Sequence, residues 1–138
     1  MPASRSFFDT NILVYTDDRA APAKQKVALQ LVEEARRQGG GVVSTQVLQE
    51  YFVAATRKLG VEHHVARRKT ELFARFDVVL VDLEHILAAV DLHRARKLSF
   101  WDALVVQAAM DAGCGVLYSE DLQSDGRFGD VQIVNPFR

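Results

Sequence analysis

The chain has 138 residues, 49% hydrophobic and 25% charged, a balance that points to one ordinary globular domain over residues 1–138. A net charge of −1 gives no global basic signature for nucleic acid, and a lone cysteine, Cys114, excludes an internal disulfide and a thiolate metal cluster. No apolar run is long enough to span a bilayer and no apolar segment follows the first residues as in a secretory signal, so a reducing, cytoplasmic location is expected.

Phe7-Phe8 is aromatic and suits a buried strand, and the polarity then flips over Asp9, Thr10 and Asn11 before Ile12-Leu13-Val14 resumes an apolar run. This pattern predicts a central strand that ends in a carboxylate and passes at once into a helical turn. Pro22 suits the first turn of a helix running to about Gln38, with Val27, Leu31 and Ala35 at helical spacing and Gly39-Gly40-Gly41 as the stop. Val42-Val43 reads as a second strand. Ser44 or Thr45 can cap a helix whose inward face is Val47, Leu48, Tyr51, Phe52 and Ala55, with Glu50 at the border of that face. A further helix is predicted from about Val61 to Arg75, then a strand over Val78–Val81. The next helix, Leu83 to about Leu98, is expected to turn Ile86, Leu87, Ala89 and Val90 inward. Ser99-Phe100-Trp101-Asp102 opens another helix, closed by Gly113. Val116-Leu117-Tyr118 is a fourth strand with Ser119-Glu120-Asp121 at its carboxyl end, and Val131–Val134 is a fifth.

Strands alternating with helices imply an α/β fold: a central parallel sheet of about five strands, helices on both faces and right-handed crossovers. In such a sheet, ligands bind at the carboxyl ends of the strands. Asp9 and Asp121 follow strands, and Glu50 and Asp102 lie early in helices, so all four acids can meet on one rim. Each has an ordinary role available as well. Asp9 can be an N-cap, Asp102 can complete a capping box with Ser99, Glu50 can be a solvated helix residue and Asp121 a turn residue. Carboxylates gathered in one pocket repel one another and call for a hard cation such as Mg²⁺ or Mn²⁺, which takes oxygen ligands and activates water against a phosphodiester. Of 17 basic residues 12 are arginines, which suit phosphate contacts.

Competing sites are weak. His63 and His64 cannot point the same way on a helix, His85 and His93 are eight residues apart, Cys114 has no evident activating partner, and no Gly-rich phosphate loop is present. The sequence also gives no exposed aromatic ladder for base stacking.

With these residues in view, the chain resembles the PIN-domain family and, within it, the VapC-type toxins of toxin–antitoxin pairs. Phe8-Asp9-Thr10-Asn11-Ile12-Leu13 is similar to the family's opening motif, Gln49-Glu50-Tyr51-Phe52 to its second acid, Ser99-Phe100-Trp101-Asp102-Ala103 to its third and Leu117-Tyr118-Ser119-Glu120-Asp121-Leu122 to its fourth. The resemblance implies a Mg²⁺- or Mn²⁺-dependent endoribonuclease acting on single-stranded RNA and leaving a 5′-phosphate. It also implies a homodimer and a small antitoxin protein that blocks the site. Asp9, Glu50 and Asp102 would hold the metal. Asp121 would hold a second ion or orient water, and Thr10, Asn11 and Ser119 would fix carboxylate orientation. The fourth motif departs from the family's commoner Thr-x-Asp-x-Asp form, which leaves Glu120 and Asp125 as competitors of Asp121.

Two other functions fit less well. A phosphatase of the haloacid-dehalogenase type needs a second aspartate where Asn11 stands, and a receiver domain needs an acid pair and a late lysine that this chain lacks. A non-catalytic interaction module on the same fold would have no reason to keep four mutually repelling acids.

Overall fold

The computed structural model describes residues 4–123 and 126–138. Phe7 and Phe8 point to opposite faces of their strand, yet both are fully buried, so the sheet at this point is covered on both sides. That strand, β1 (Ser6–Phe8), pairs in parallel with β2 (Gly41–Ser44) on one side and β4 (Val116–Tyr118) on the other. Outward from β2 lies β3 (Asp77–Val79), and outward from β4 lie β6 (Val131–Val134) and β5 (Arg127–Phe128), giving the order β3-β2-β1-β4-β6-β5. Every pairing is parallel except β5 with β6.

The chain reaches β2 through α1 (Thr10–Tyr15) and α2 (Pro22–Gln38). It reaches β3 through α3 (Thr45–Arg57) and α4 (His63–Phe73), and β4 through α5 (Leu83–Arg96) and α6 (Phe100–Asp111). From β1 the connections run first toward β3 and later toward β6, so the strand order reverses between β1 and β4. A crevice opens at such a reversal, at the carboxyl ends of the strands. Among the described residues no helix is long and apolar enough to cross a membrane.

The expected strands and helices are present, with two differences. A sixth, two-residue strand, Arg127–Phe128, folds back antiparallel on β6 across Gly129, whose φ of 59° lies in the left-handed region. It is too short to show a period in sequence. The second difference is the face of α5. His85 and Ala89 are buried, whereas Ile86, Leu87 and Val90 are exposed, together with Leu83. The helix has apolar residues around much of its circumference, and its contact with α6 selects the His85 side. There the imidazole spans the two helices, its Nε2 3.0 Å from the Leu104 carbonyl and its Nδ1 3.2 Å from the Asp111 carboxylate. Polar bonds, invisible to hydrophobic periodicity, decide which stripe goes inside.

One interior network ties the first helix to the middle of the chain. Asp17, just past α1, accepts a hydrogen bond from the Tyr51 hydroxyl on α3 at 2.6 Å and one from Lys69 Nζ on α4 at 2.6 Å; Lys69 also donates to Thr16 Oγ1 at 2.8 Å. The Lys69 and Asp17 side chains are largely shielded, and Lys69 lies over the Phe73 ring. Removing one member of a shielded ion pair leaves the other charge uncompensated, which costs more than losing a neutral donor. Lys69→Met should therefore destabilise by about 2–4 kcal/mol, and Tyr51→Phe by roughly 1 kcal/mol. Urea melts of the two variants would check the ranking.

Candidate active site at the sheet switch point

Asp9 stands at the first turn after β1, in extended conformation, and caps α1: its Oδ1 accepts the Thr10 N–H at 2.8 Å. Its own N–H donates to the Tyr118 carbonyl, continuing the ladder with β4. Its Oδ2 accepts from the Ser119 hydroxyl at 2.7 Å. The carboxylate is almost wholly buried. Burial raises its pKa from 3.8 to about 6, against the lowering effect of the Ser119 and Thr10 bonds, and the nearby Glu50 and Asp121 carboxylates add to the rise. The cap and the candidate ligand are thus the same residue.

Ser119 is fully buried and works as a hub. While donating to Asp9, its oxygen accepts the N–H groups of Asp121 and Leu122, each at 3.2 Å. Asn11 makes the reciprocal tie: its Nδ2 donates to Asp121 Oδ2 at 3.1 Å, and its Oδ1 accepts the Glu120 N–H at 3.2 Å. Thr10 completes the set, its hydroxyl donating to Glu50 Oε1 at 2.7 Å. Glu50 Oε2 also receives Gln46 Nε2 at 3.4 Å. The three polar residues of the two strand-end motifs therefore each bond one carboxylate: Thr10 to Glu50, Asn11 to Asp121 and Ser119 to Asp9.

Asp102 reaches the same place from α6. Ser99 caps that helix, its Oγ accepting the Asp102 N–H at 3.1 Å, but only this half of a capping box forms. Among the described residues no donor takes the Asp102 carboxylate, which is left to the cleft. Asp9, Glu50, Asp102 and Asp121 all line one cleft of about 910 Å³, with Thr10, Asn11, Gln46 and Glu120.

Glu120 shares the wall but not the role. Its carboxylate accepts from the Tyr15 hydroxyl at 2.6 Å and from Lys24 Nζ at 2.5 Å. Partial burial works to raise its pKa, yet the Lys24 and Tyr15 bonds prevail and hold it below the usual range. Glu120 is committed to a cation of the chain, whereas Asp121 meets only the neutral Asn11 side chain and Ser119 through its backbone. Asp125 lies outside the described residues.

As placed, the acids bond to donors of the chain, and among the described residues no three Asp, Glu, His or Cys side chains stand close enough together to hold an ion. The donor set nevertheless fits a hard divalent cation. All four charged groups on this rim are carboxylates, and Mg²⁺ is held through one or two carboxylates and several waters, with no need for a tight cage. Gln46 Oε1, on the cleft wall beside Glu50, is buried without a partner and offers one more acceptor for such waters.

Two features of the cleft escaped the sequence. Trp101, beside Asp102, is 63% exposed on the wall. Arg57 and Lys58, at the far end of α3, line it too. The sequence carried one signal for the second: Arg57 is seven residues from Glu50, two turns along the same helix.

A PIN-domain family model matches residues 6–126, and the chain belongs to the PIN-domain family. Among solved structures it is similar to a toxin–antitoxin complex from Klebsiella pneumoniae, with 21% identity over 95% of this chain and 97% of that one and a TM-score of 0.70. It is similar also to VapC20 of Mycobacterium tuberculosis, a sarcin-ricin loop cleaving toxin, with 21% identity over 84% and 89% of the two chains and a TM-score of 0.64. A third is VapBC2 from Rickettsia felis bound to a promoter DNA fragment, with 15% identity over 94% and 97% and a TM-score of 0.66. No curated protein matches the sequence. At these identities the structures establish the shared fold.

The raised pKa of Asp9 sets a pH dependence for the metal-free protein. Between the unfolded value near 4 and the folded value of about 6, the folded state binds the extra proton, so stability falls as pH rises through this window and is level above it. Asn at position 9 keeps an oxygen for the Thr10 N–H and carries no charge. Asp9→Asn should therefore melt higher than wild type in EDTA at pH 8, by about 1–3 kcal/mol at 1.36 kcal/mol per pKa unit, and the difference should vanish near pH 4. Thermal melts across this range would check it; a variant that melts lower at pH 8 would leave Asp9 a purely structural cap.

Proposed function

We propose that this PIN domain is a Mg²⁺- or Mn²⁺-dependent endoribonuclease for single-stranded RNA and the toxin of a toxin–antitoxin pair, acting in the cytoplasm. The observation that carries the reading is the cleft at the switch point. Four chain segments far apart in sequence each deliver one carboxylate to it, and three neighbouring polar side chains orient them. Asp9, Glu50 and Asp102 would hold the cation, and Asp121 would hold a second ion or orient the attacking water. When bound, the ion supplies Lewis acidity, lowering the pKa of water and polarising the phosphoryl oxygen.

The chain's own groups do the positioning. Ser119 and the Thr10 N–H fix both oxygens of Asp9, and Thr10 Oγ1 fixes one oxygen of Glu50. Asn11 holds one oxygen of Asp121 and leaves the other for water or ion. Hydrolysis breaks the bond from phosphorus to the 3′ oxygen and leaves the phosphate on the 5′ side of the next nucleotide.

Partners follow from the surface. An apolar groove of about 620 Å³ between α3 and α4, lined by Leu48, Phe52 and Val53, shares Gln49 and Val53 with the cleft. An antitoxin segment seated there would lie next to the acids and cover them. Leu83, Leu87 and Val90 form an exposed stripe along α5 that suits a homodimer.

Purified protein should cleave single-stranded RNA with Mg²⁺ or Mn²⁺ and stop in EDTA; cleavage undiminished in excess chelator would refute the reading. Within it, Asp121→Asn should lower kcat by at least about 100-fold, equivalent to roughly 3 kcal/mol of barrier. Glu120→Gln should keep most activity, because its carboxylate already serves Lys24 and Tyr15. Single-turnover cleavage of a labelled oligonucleotide would rank the two.

A further inference from the structure

Helix α3 is polar, apolar and basic in turn along the face it shows to the cleft. Gln46, Gln49 and Glu50 stand at the acid end, Val53 and Ala54 follow one turn on, and Arg57 and Lys58 close the row. Positions 46, 50, 53, 54, 57 and 58 keep the i, i+3, i+4, i+7 spacing of a single face. From Glu50 to Arg57 the axis advances about 10 Å, at 1.5 Å per residue. Among the described residues neither Arg57 nor Lys58 pairs with an acid, unlike Lys24, Arg36, Arg67 and Lys69, which do. Cations at a helix C-terminus suit the helix dipole, and this alone could retain them. It does not account for their facing the cleft rather than open solvent.

At the acid end the opposite wall carries Trp101, 63% exposed, its ring edge-on to Phe100 at 5.4 Å. Its backbone carbonyl accepts from Gln46 Nε2 at 3.3 Å, which fixes this wall against α3. The cleft thus holds an exposed flat aromatic and a pair of unpaired cations on either side of its carboxylates. A polymer that alternates planar apolar rings with anionic links matches this sequence of surfaces.

We propose that the substrate strand runs along α3, with one base stacked on Trp101 and a phosphate neighbouring the scissile one held by Arg57 and Lys58. This rests on the ribonuclease reading and deepens it by assigning the residues that position the RNA. Because the cations sit about two helical turns from Glu50, they hold the strand and leave the reacting phosphate to the acid end. The stacking side takes any base, since every base has a π face, so the track sets where the strand lies without dictating its sequence.

The test is steady-state cleavage of a short single-stranded RNA with Mn²⁺ at several salt concentrations, for wild type, R57Q/K58Q, W101A and the control K26Q/R37Q, whose cations lie on α2 away from the cleft. In R57Q/K58Q, KM should rise at least tenfold with kcat within about threefold. The slope of log(kcat/KM) against log salt should flatten by about 1.4, at 0.7 per phosphate contact on a single strand. R57K/K58R should restore most of both. In W101A, KM should rise about tenfold, the scale of one lost base stack, with the salt slope unchanged. The control should match wild type. An unchanged KM and slope in R57Q/K58Q, or a W101A effect that tracks loss of a dimer in analytical ultracentrifugation, would overturn the assignment. If wild type cleaves no RNA, the ribonuclease reading fails by itself, and fluorescence anisotropy with the same oligonucleotide decides the track. Binding weakened in both variants sustains it, and binding absent or equal in all four proteins overturns it.

Discussion

The structure depends on one buried carboxylate. Asp9 sits where the sheet reverses its strand order, and its two oxygens and its N–H join three parts of the chain: the first turn of α1, the end of β4 and Ser119 beyond it. Burying an ionised group is costly unless its hydrogen bonds are replaced. Two donors replace part of that solvation, while Glu50 and Asp121 add repulsion. The result is a carboxyl group whose proton affinity is raised by two units over an ordinary aspartate, held in place by a scaffold that would be more stable without its charge. Such tension between stability and charge is common at sites kept for chemistry.

Around this point the polar side chains divide the acids into two kinds. Glu120 is neutralised by Lys24 and bonded to Tyr15, so its charge is spent within the protein. Glu50 and Asp121 receive only neutral donors, and Asp102 receives none among the described residues. Uncompensated charge is therefore concentrated at the floor and one wall of the cleft, with the positive end of the same cleft two helical turns away. Helix α3 serves three ends with one sequence: Val47, Tyr51 and Ala55 anchor it in the core, Glu50 faces the acids, and Arg57 and Lys58 face the open end.

Much of this was legible before folding. Alternating strand and helix periods gave the α/β class and the parallel sheet, and the motif residues gave the family. Caps at Ser44 and Ser99 could be placed from residue type alone, because an N-cap is a local bond between a side chain and a backbone N–H two or three residues on. The strand-end acids could be assigned to one rim, because helix starts and strand carboxyl ends share a rim in any such sheet. Asp9 carried two legible roles, a cap and a member of an acid group, and the geometry allows both at once.

What sequence could not decide is anything set by the relative rotation of packed elements. The inward face of α5 was misjudged because Ile86, Leu87 and Val90 look like core, whereas the bonds of His85 to Leu104 and Asp111 turn the opposite stripe toward α6. Glu120 and Asp121 are adjacent acids with the same local signal. Only the arrival of Lys24 and Tyr15, about a hundred residues earlier in the chain, separates the neutralised one from the free one. Trp101 and Arg57 likewise became part of the cleft through neighbours distant in sequence. Local bonds and periodicity are written in short stretches of chain, and the sequence determined those. Which charges are paired, which rings are exposed and which faces meet are sums over contacts between remote segments, and the tertiary structure alone decided them.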